Sequence, residues 1–256
     1  MGLIISITNQ KGGVGKTTTA VNLAASLARN RKRTLIIDFD PQGHATEHVG
    51  IRTSTPESQT KTVLEALNHT QKVQDCIFQT YMPNLFILPA NLRLGQFNQN
   101  APQGKQFLLK DILVPKIKDQ FDFILIDCQP SLSLLTLNAL TTSDKVLLPV
   151  QAEFLALDGL MQLVITLKDV QQKLHPKLEV LGILLTMFDT RNRLSGEVQN
   201  ELAKNFDKDL FHTVIPRNVK LAEAPSFGKT IFDYDSFSTG AQAYEKLSGE
   251  ILTKLK

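Results

Sequence analysis

Leu3-Ile-Ile-Ser-Ile-Thr-Asn9-Gln-Lys-Gly-Gly-Val-Gly-Lys-Thr-Thr-Thr19 decides the reading of this chain. The aliphatic run from Leu3 to Thr8 predicts a buried strand, and the small and apolar residues after Thr17 predict a helix through Leu27. Between them lies a loop carrying Gly12, Gly13 and Gly15. Holding a phosphate chain needs backbone N–H groups turned inward, a helix N-terminus with partial positive charge, and a cation that reaches the outer phosphates. The three glycines meet the first need, the helix from Thr17 the second and Lys16 the third, while the Thr17 hydroxyl is placed to hold Mg²⁺. The expected ATP-binding segment is therefore Lys11, Gly12, Gly13, Val14, Gly15, Lys16, Thr17 and Thr18. A Gly-Lys-Thr triplet is common by chance; its place between a strand and a helix makes this one specific.

Outward from that loop, short runs rich in Ile, Leu and Val alternate with helix-length segments. The expected strands are Arg33 to Asp38, Asn84 to Leu88, Phe121 to Ile126, Asp144 to Val150, Leu178 to Leu185 and Phe211 to Ile215. Helical spacing marks Leu155 to Leu174, Ser195 to Phe206, and Gly240 to the end, where Tyr244, Leu247, Ile251 and Leu255 share a face. Strands apolar on both faces need cover above and below, which predicts a doubly wound, mainly parallel α/β sheet with helices on both faces. No linker or repeat interrupts the pattern, so residues 1–256 read as one domain, with 91–105 as a surface loop.

Composition narrows the function classes. The chain has 256 residues, 42% of them hydrophobic and 21% charged, with no Trp, so disorder and coiled coil are poor readings. Its 28 basic and 25 acidic residues leave a net charge of only +3, so nucleic-acid contact would have to come from a local patch. Cys76, expected on a surface helix, and Cys128 lie far apart without metal-ligand spacing. The histidines at 44, 48, 69, 175 and 212 lack paired ligand spacing and read as surface residues. No signal peptide or apolar stretch of spanning length is found, which predicts a cytoplasmic protein.

Further segments carry a family resemblance. Lys11-Gly-Gly-Val-Gly-Lys-Thr-Thr18 departs from the common phosphate loop, with Gln10 where its first glycine would fall and an extra lysine at Lys11. This loop resembles the deviant Walker A motif of the ParA/MinD ATPases. The resemblance implies that Lys11 reaches the phosphates of a partner subunit in an ATP-sandwich dimer; a solvated Lys11 is the plain alternative. Ile37-Asp-Phe-Asp-Pro-Gln-Gly43 resembles the family's switch I, implying that Asp40 positions the attacking water and Asp38 supports the Mg²⁺ shell. Phe123-Ile-Leu-Ile-Asp127 resembles a Walker B strand, with Asp127 orienting Mg²⁺ waters; a helix N-cap or turn residue is the alternative. The following Cys128-Gln-Pro-Ser131 carries Gln129 in place of a family proline, which implies at most a looser switch II turn.

Pro149 to Leu160 resembles a stretch lining the dimer face, and Leu184-Leu-Thr-Met-Phe-Asp-Thr-Arg191 and Ile215 to Gly228 are closer to the small chromosomal ParA, or Soj-like, branch. That branch implies a base held by Pro216 and Asn218. It also implies an ATP-dependent homodimer that binds double-stranded DNA without sequence preference, associates with the nucleoid, and turns over slowly unless stimulated by a ParB-type DNA-binding protein. Arg191, Arg193, Arg217 and Lys220 are the candidate DNA contacts, against the alternative of solvated surface charge. Two rivals stand beside this. A MinD-like membrane-positioning ATPase would use Ser248 to Lys256 as an interfacial helix, whereas core packing of that face is expected. The other is a metabolic or metal-insertion enzyme on the same scaffold, resembling a nitrogenase iron protein or a dethiobiotin synthetase; iron–sulfur ligation would need thiolates near a subunit interface that Cys76 and Cys128 do not supply.

Overall fold

The computed structural model describes residues 2–53, 60–98, 105–153 and 156–256. Seven strands form one sheet: β1 (Leu3–Ile7), β2 (Thr34–Phe39), β3 (Phe78–Gln79), β4 (Leu85–Leu88), β5 (Phe123–Cys128), β6 (Lys145–Gln151) and β7 (Glu179–Thr186). Their order is β3-β4-β2-β5-β1-β6-β7, and every pairing is parallel except β3 with β4 at one edge.

The alternation of side chains along each strand divides the core into layers. Ile5 and Ile7 of β1 and Ile36 of β2 face a layer closed by α1 (Lys16–Arg29) and, later in the chain, by α9 (Ile231–Tyr234) and α10 (Thr239–Lys254). Ile4, Leu35, Ile37 and Ile126 face the opposite layer, closed by α3 (Val63–Leu67), α4 (Val114–Ile117) and α5 (Leu134–Thr142). α6 (Ala156–Lys173) and α7 (Arg193–Phe206) extend that cover over β6 and β7 through Leu160, Leu163, Leu167 and Leu202. Two shorter helices, α2 (His44–His48) and α8 (Val219–Glu223), flank the phosphate side. Helix α1 is rich in alanine and packs closely on α10, where the Ser26 and Ser248 hydroxyls meet at 2.7 Å and those of Thr19 and Tyr244 at 3.2 Å. Tyr244, Leu247 and Ile251 are fully buried there, so the C-terminal apolar face packs into the core as expected.

Four expectations are corrected. Phe211 to Ile215 runs beside β7 but is not a regular strand. The His212 and Thr213 amides donate to the Glu250 carboxylate of α10, at 2.8 and 3.0 Å, instead of to a ladder. Two isolated bridges, Ile183 with Leu210 and Phe188 with Pro216, and the Ile215 amide on the Leu185 carbonyl at 2.8 Å hold the segment to β7. Within the expected loop 91–105, Leu92–Asn98 is a 3₁₀ helix that buries Leu94 and Phe97; residues 99–104 lie outside the described residues. Cys76 ends a 3₁₀ turn with its thiol buried in the core rather than on a surface helix. His48 is buried, unlike the surface histidine expected. Leu155, the expected start of α6, lies outside the described residues.

Candidate functional site

Parallel strands bring their C-terminal ends to one edge, and the central three here are β2, β5 and β1. The glycine-rich loop leaves β1, switch I leaves β2, and Asp127 closes β5. In register, Asp127 sits opposite both Ile7 of β1 and Asp38 of β2, so the two carboxylates lie side by side at the mouth of the loop.

Gly13 and Gly15 adopt φ of 76° and 85°, a region that side chains strongly disfavour, and Gly15 forms the entry to α1. This turns the loop's N–H groups towards a cavity of ≈ 590 Å³ whose lining includes Gly12, Gly13, Lys16, Thr17, Thr18 and Asp40. Lys16 folds over the loop and donates from Nζ to the Lys11 carbonyl at 3.0 Å. Burial lowers its pKa, while Asp127, Cys128 and Asp40 oppose that fall. The loop is braced from outside: Asn9 donates to the Pro149 carbonyl at 2.7 Å and accepts from the Lys11 amide at 2.9 Å, and the Thr186 hydroxyl donates to the Val14 carbonyl at 2.9 Å.

The carboxylates differ in how they are satisfied. Asp38 is buried, and its Oδ2 accepts from both the Thr46 hydroxyl (2.6 Å) and the Thr46 amide (2.8 Å). Burial still pushes its pKa up to about 6 against those bonds. Asp40 accepts the Gln42 amide at 2.9 Å and faces the cavity. Asp127 is fully buried, and neither oxygen has a hydrogen-bond partner. Its pKa is driven well above the carboxylate range by burial and then by the charge of Asp38; the Thr17 hydroxyl and Lys16 pull the other way.

A buried carboxylate whose oxygens accept no well-formed hydrogen bond, with a second carboxylate and the Thr17 hydroxyl beside it, fits a divalent cation. No group of three or more His, Cys, Asp or Glu among the described residues could hold a metal alone. The cation that fits is therefore one that keeps waters and shares phosphate oxygens, as Mg²⁺ does.

Beside the phosphate cavity a small apolar slot of ≈ 200 Å³ lies between Thr18, Met187, Pro216, Leu221 and Tyr244. Asn218 borders it, but its amide is committed to the turn: Oδ1 caps α8 at the Leu221 amide (3.1 Å) and Nδ2 donates to Thr239 (2.8 Å). A larger groove of ≈ 1030 Å³ between α2 and Pro225–Gly228 shares Gln42 and His44 with the phosphate cavity.

Lys11 leaves its own loop. Its Nζ lies 3.1 Å from Glu153 Oε2, and its side chain is 48% exposed. Gln129 donates to the Ser133 hydroxyl, which caps α5, so the substitution for proline ties the switch II turn to the helix instead of loosening it. The bridge between Phe188 and Pro216, with the Arg217 amide on the Phe188 carbonyl at 2.9 Å, brings the Arg191 and Arg217 loops together at the end of β7. Arg193 opens α7 beside them and Lys220 lies on α8. The side chains of Arg191, Arg193 and Lys220 are 87%, 93% and 46% exposed, and each pairs with a carboxylate: Asp189, Glu197 and Glu223.

Thr46, Glu153, Thr186 and Met187 were not legible as site residues. Each acts through a contact across the fold, except Met187, whose φ of 51° beside both cavities marks backbone strain no sequence pattern announces.

A family model described as an AAA domain matches residues 2–180. The chain is 48% identical over 253 residues to the sporulation initiation inhibitor protein Soj of Bacillus subtilis, covering 98% of each chain. It is 45% identical over 256 residues to the chromosome partitioning protein ParA of Myxococcus xanthus, covering 99% of this chain and 89% of that one. Among solved structures it resembles cobyrinic acid a,c-diamide synthase from Mycobacterium smegmatis with bound ADP and magnesium, with a TM-score of 0.84 and 33% identity over 100% of this chain and 96% of that one.

Proposed function

The chain belongs to the ParA/Soj family of P-loop partitioning ATPases, which use ATP and Mg²⁺, and from that premise we propose that it is a dimerising switch that holds DNA in its ATP state. The proposal takes residues 1–256 as one ATPase domain, and chromosome or plasmid partitioning as its task.

The observation that carries it is the division of labour between two lysines. Lys16 lies over the loop, whereas Lys11 points away from it to Glu153, half exposed. A cation held outside its own cradle by an exposed ion pair, which is worth little in water, can exchange Glu153 for a partner's phosphates, where partial desolvation makes a charge-assisted contact stronger. The loop amides and Lys16 bind the triphosphate, Thr17 with Asp38 and Asp127 hold Mg²⁺, and the slot at Pro216 and Asn218 takes the base. Mg²⁺ supplies charge neutralisation for the phosphate oxygens.

Asp40 orients a water towards the γ-phosphorus. The new P–O bond forms as the bond to the bridging oxygen of ADP breaks, releasing ADP, phosphate and a proton. The phosphoryl transition state demands positioning more than strong base, so Asp40 acts by placing the water. Slow turnover follows unless a partner, here a ParB-type DNA-binding protein, completes the site.

Arg191, Arg193, Arg217 and Lys220 gather at one end of β7 and supply a face for phosphate backbone contacts without base readout. Dimerisation would present it twice and place the protein on the nucleoid. A MinD-like membrane anchor draws less support, because the apolar residues of α10 are spent in the core.

Sedimentation of the wild type, Asp40→Ala and Lys11→Ala with saturating Mg-ATP tests the switch. Asp40→Ala should retain ATP and sediment as a stable dimer, while Lys11→Ala should bind nucleotide yet stay monomeric. A monomeric Asp40→Ala protein loaded with ATP would overturn the reading.

A further inference from the structure

The cations of the DNA face are already engaged by the chain's own carboxylates. Arg191 presents its fork to Asp189, with Nε 3.0 Å from Oδ1 and Nη2 2.9 Å from Oδ2, and its backbone amide meets the same Oδ1 at 3.0 Å. Those are the paired donors that a phosphate would need. The Arg191 bonds, with the Arg217 charge contributing, hold the Asp189 carboxyl down to about 2, so it is ionised at neutral pH.

Glu223 is buttressed as well as paired. Its Oε2 accepts Lys220 Nζ at 3.0 Å and the Tyr234 hydroxyl at 2.8 Å. The Lys220 ammonium also lies 5.6 Å from the Tyr234 ring centroid, and that ring packs on Phe227 with centroids 5.1 Å apart. The Arg193–Glu197 pair is the looser of the three, an i,i+4 pair with both side chains largely in solvent. Among the described residues, Asp189, Glu197 and Glu223 pair three of these four cations, Asp189 also feels Arg217, and Asp235 also acts on Lys220, so the face carries little net charge.

We propose that Asp189 and Glu223 are affinity-setting residues of the DNA face, competing with phosphate for Arg191 and Lys220 so that a single protomer binds duplex too weakly to be retained. The proposal rests on the DNA-binding reading above. A face close to neutral attracts the polyanion feebly, and doubling it by dimerisation then raises binding from below a useful level to above it. The carboxylates thereby make ATP, rather than charge alone, the determinant of binding. Asp189 and Glu223 act through their lysine and arginine neighbours and touch neither nucleotide nor Mg²⁺.

The test measures binding to random-sequence duplex by wild type and by the Asp189→Asn, Glu223→Gln double variant, with ATP, with ADP and without nucleotide. Asn and Gln keep the acceptor oxygens for the Arg191 amide and the Tyr234 hydroxyl. Removing one carboxylate about 6 Å from a phosphate is worth about threefold in affinity at the dielectric of water, so the double variant should tighten binding about tenfold for a single protomer and up to about a hundredfold for the ATP dimer, which presents the face twice. The ADP form should begin to bind.

A control variant, Asp169→Asn with Glu179→Gln, removes two paired carboxylates from the opposite end of α6 and β7 and should leave affinity near wild type. Wild type that binds with ATP while the double variant binds equally tightly overturns the inference and leaves the DNA reading standing. Equal tightening by the control assigns the effect to net charge and also overturns it. Absence of binding by every protein in every state removes the DNA reading and the inference with it.

Discussion

At the scale of single residues, the most consequential is Asp127, a fully buried carboxylate with both oxygens unpartnered. Such a group costs stability until a cation or a proton arrives. Asp127→Asn keeps the shape and removes the charge, so without nucleotide it should unfold at higher urea than wild type, by on the order of 1–3 kcal/mol. With Mg-ATP the order should reverse, since wild type alone gains the full binding free energy. A variant stabilised by Mg-ATP as strongly as wild type would deny Asp127 its part in holding the metal. Lys16→Ala should abolish nucleotide binding, read as loss of fluorescent ATP analogue titration.

His48 makes a separate statement about pH. Burial drives its imidazole down to about 4, and Nε2 has no partner, so the folded chain holds it neutral. Unfolded, it takes a proton near pH 6.5. The stability it permits is therefore full above pH 6.5 and is lost as pH falls towards 4, because the unfolded chain binds the proton first. That loss is up to about 3 kcal/mol. His48→Leu should flatten this part of the profile, measured as the difference in urea midpoints between pH 7 and pH 4.5. An unchanged slope would place the proton elsewhere.

At the scale of elements, the strands around the phosphate loop were legible because each is aliphatic on both faces, and Asp38 and Asp127 because carboxylates end such runs at the edge where ligands bind. Phe211 to Ile215 has the same aliphatic look but was misread. Its His212 and Thr213 amides are taken by Glu250, 38 and 37 positions away in sequence, and no local pattern reports those bonds. The same blindness hid Thr46 behind Asp38 and Glu153 beneath Lys11. It also hid the reason for Gly182: a Cβ there would lie 2.6 Å from the Phe211 ring and 2.9 Å from the Asp209 carbonyl. Gly182→Ala should cost about 1–3 kcal/mol by forcing that segment off β7. Adding Phe211→Leu should recover part of the loss, and an unperturbed Gly182→Ala melting curve would contradict this packing.

At the scale of the whole molecule, three loops from adjacent parallel strands converge on one edge, and the deviant lysine and the basic cluster lie outward from it. Sequence reached this arrangement by motif and resemblance, yet could not foresee that three of the four candidate DNA contacts are ion-paired within the chain. Partner choice lies on surfaces, where side-chain identity alone does not say which charges are already neutralised.

As proposed above, ATP turns a weakly charged face into one that holds DNA by pairing two protomers. The most direct measurement is binding of Asp40→Ala to random-sequence duplex with ATP, with ADP and without nucleotide, at about 50 and about 200 mM salt. Binding with ATP alone, falling by about 10³-fold or more between those salts for six or more phosphate contacts, is the predicted result. Equal binding in all three states, or none from a protein that sediments as a dimer, would contradict it.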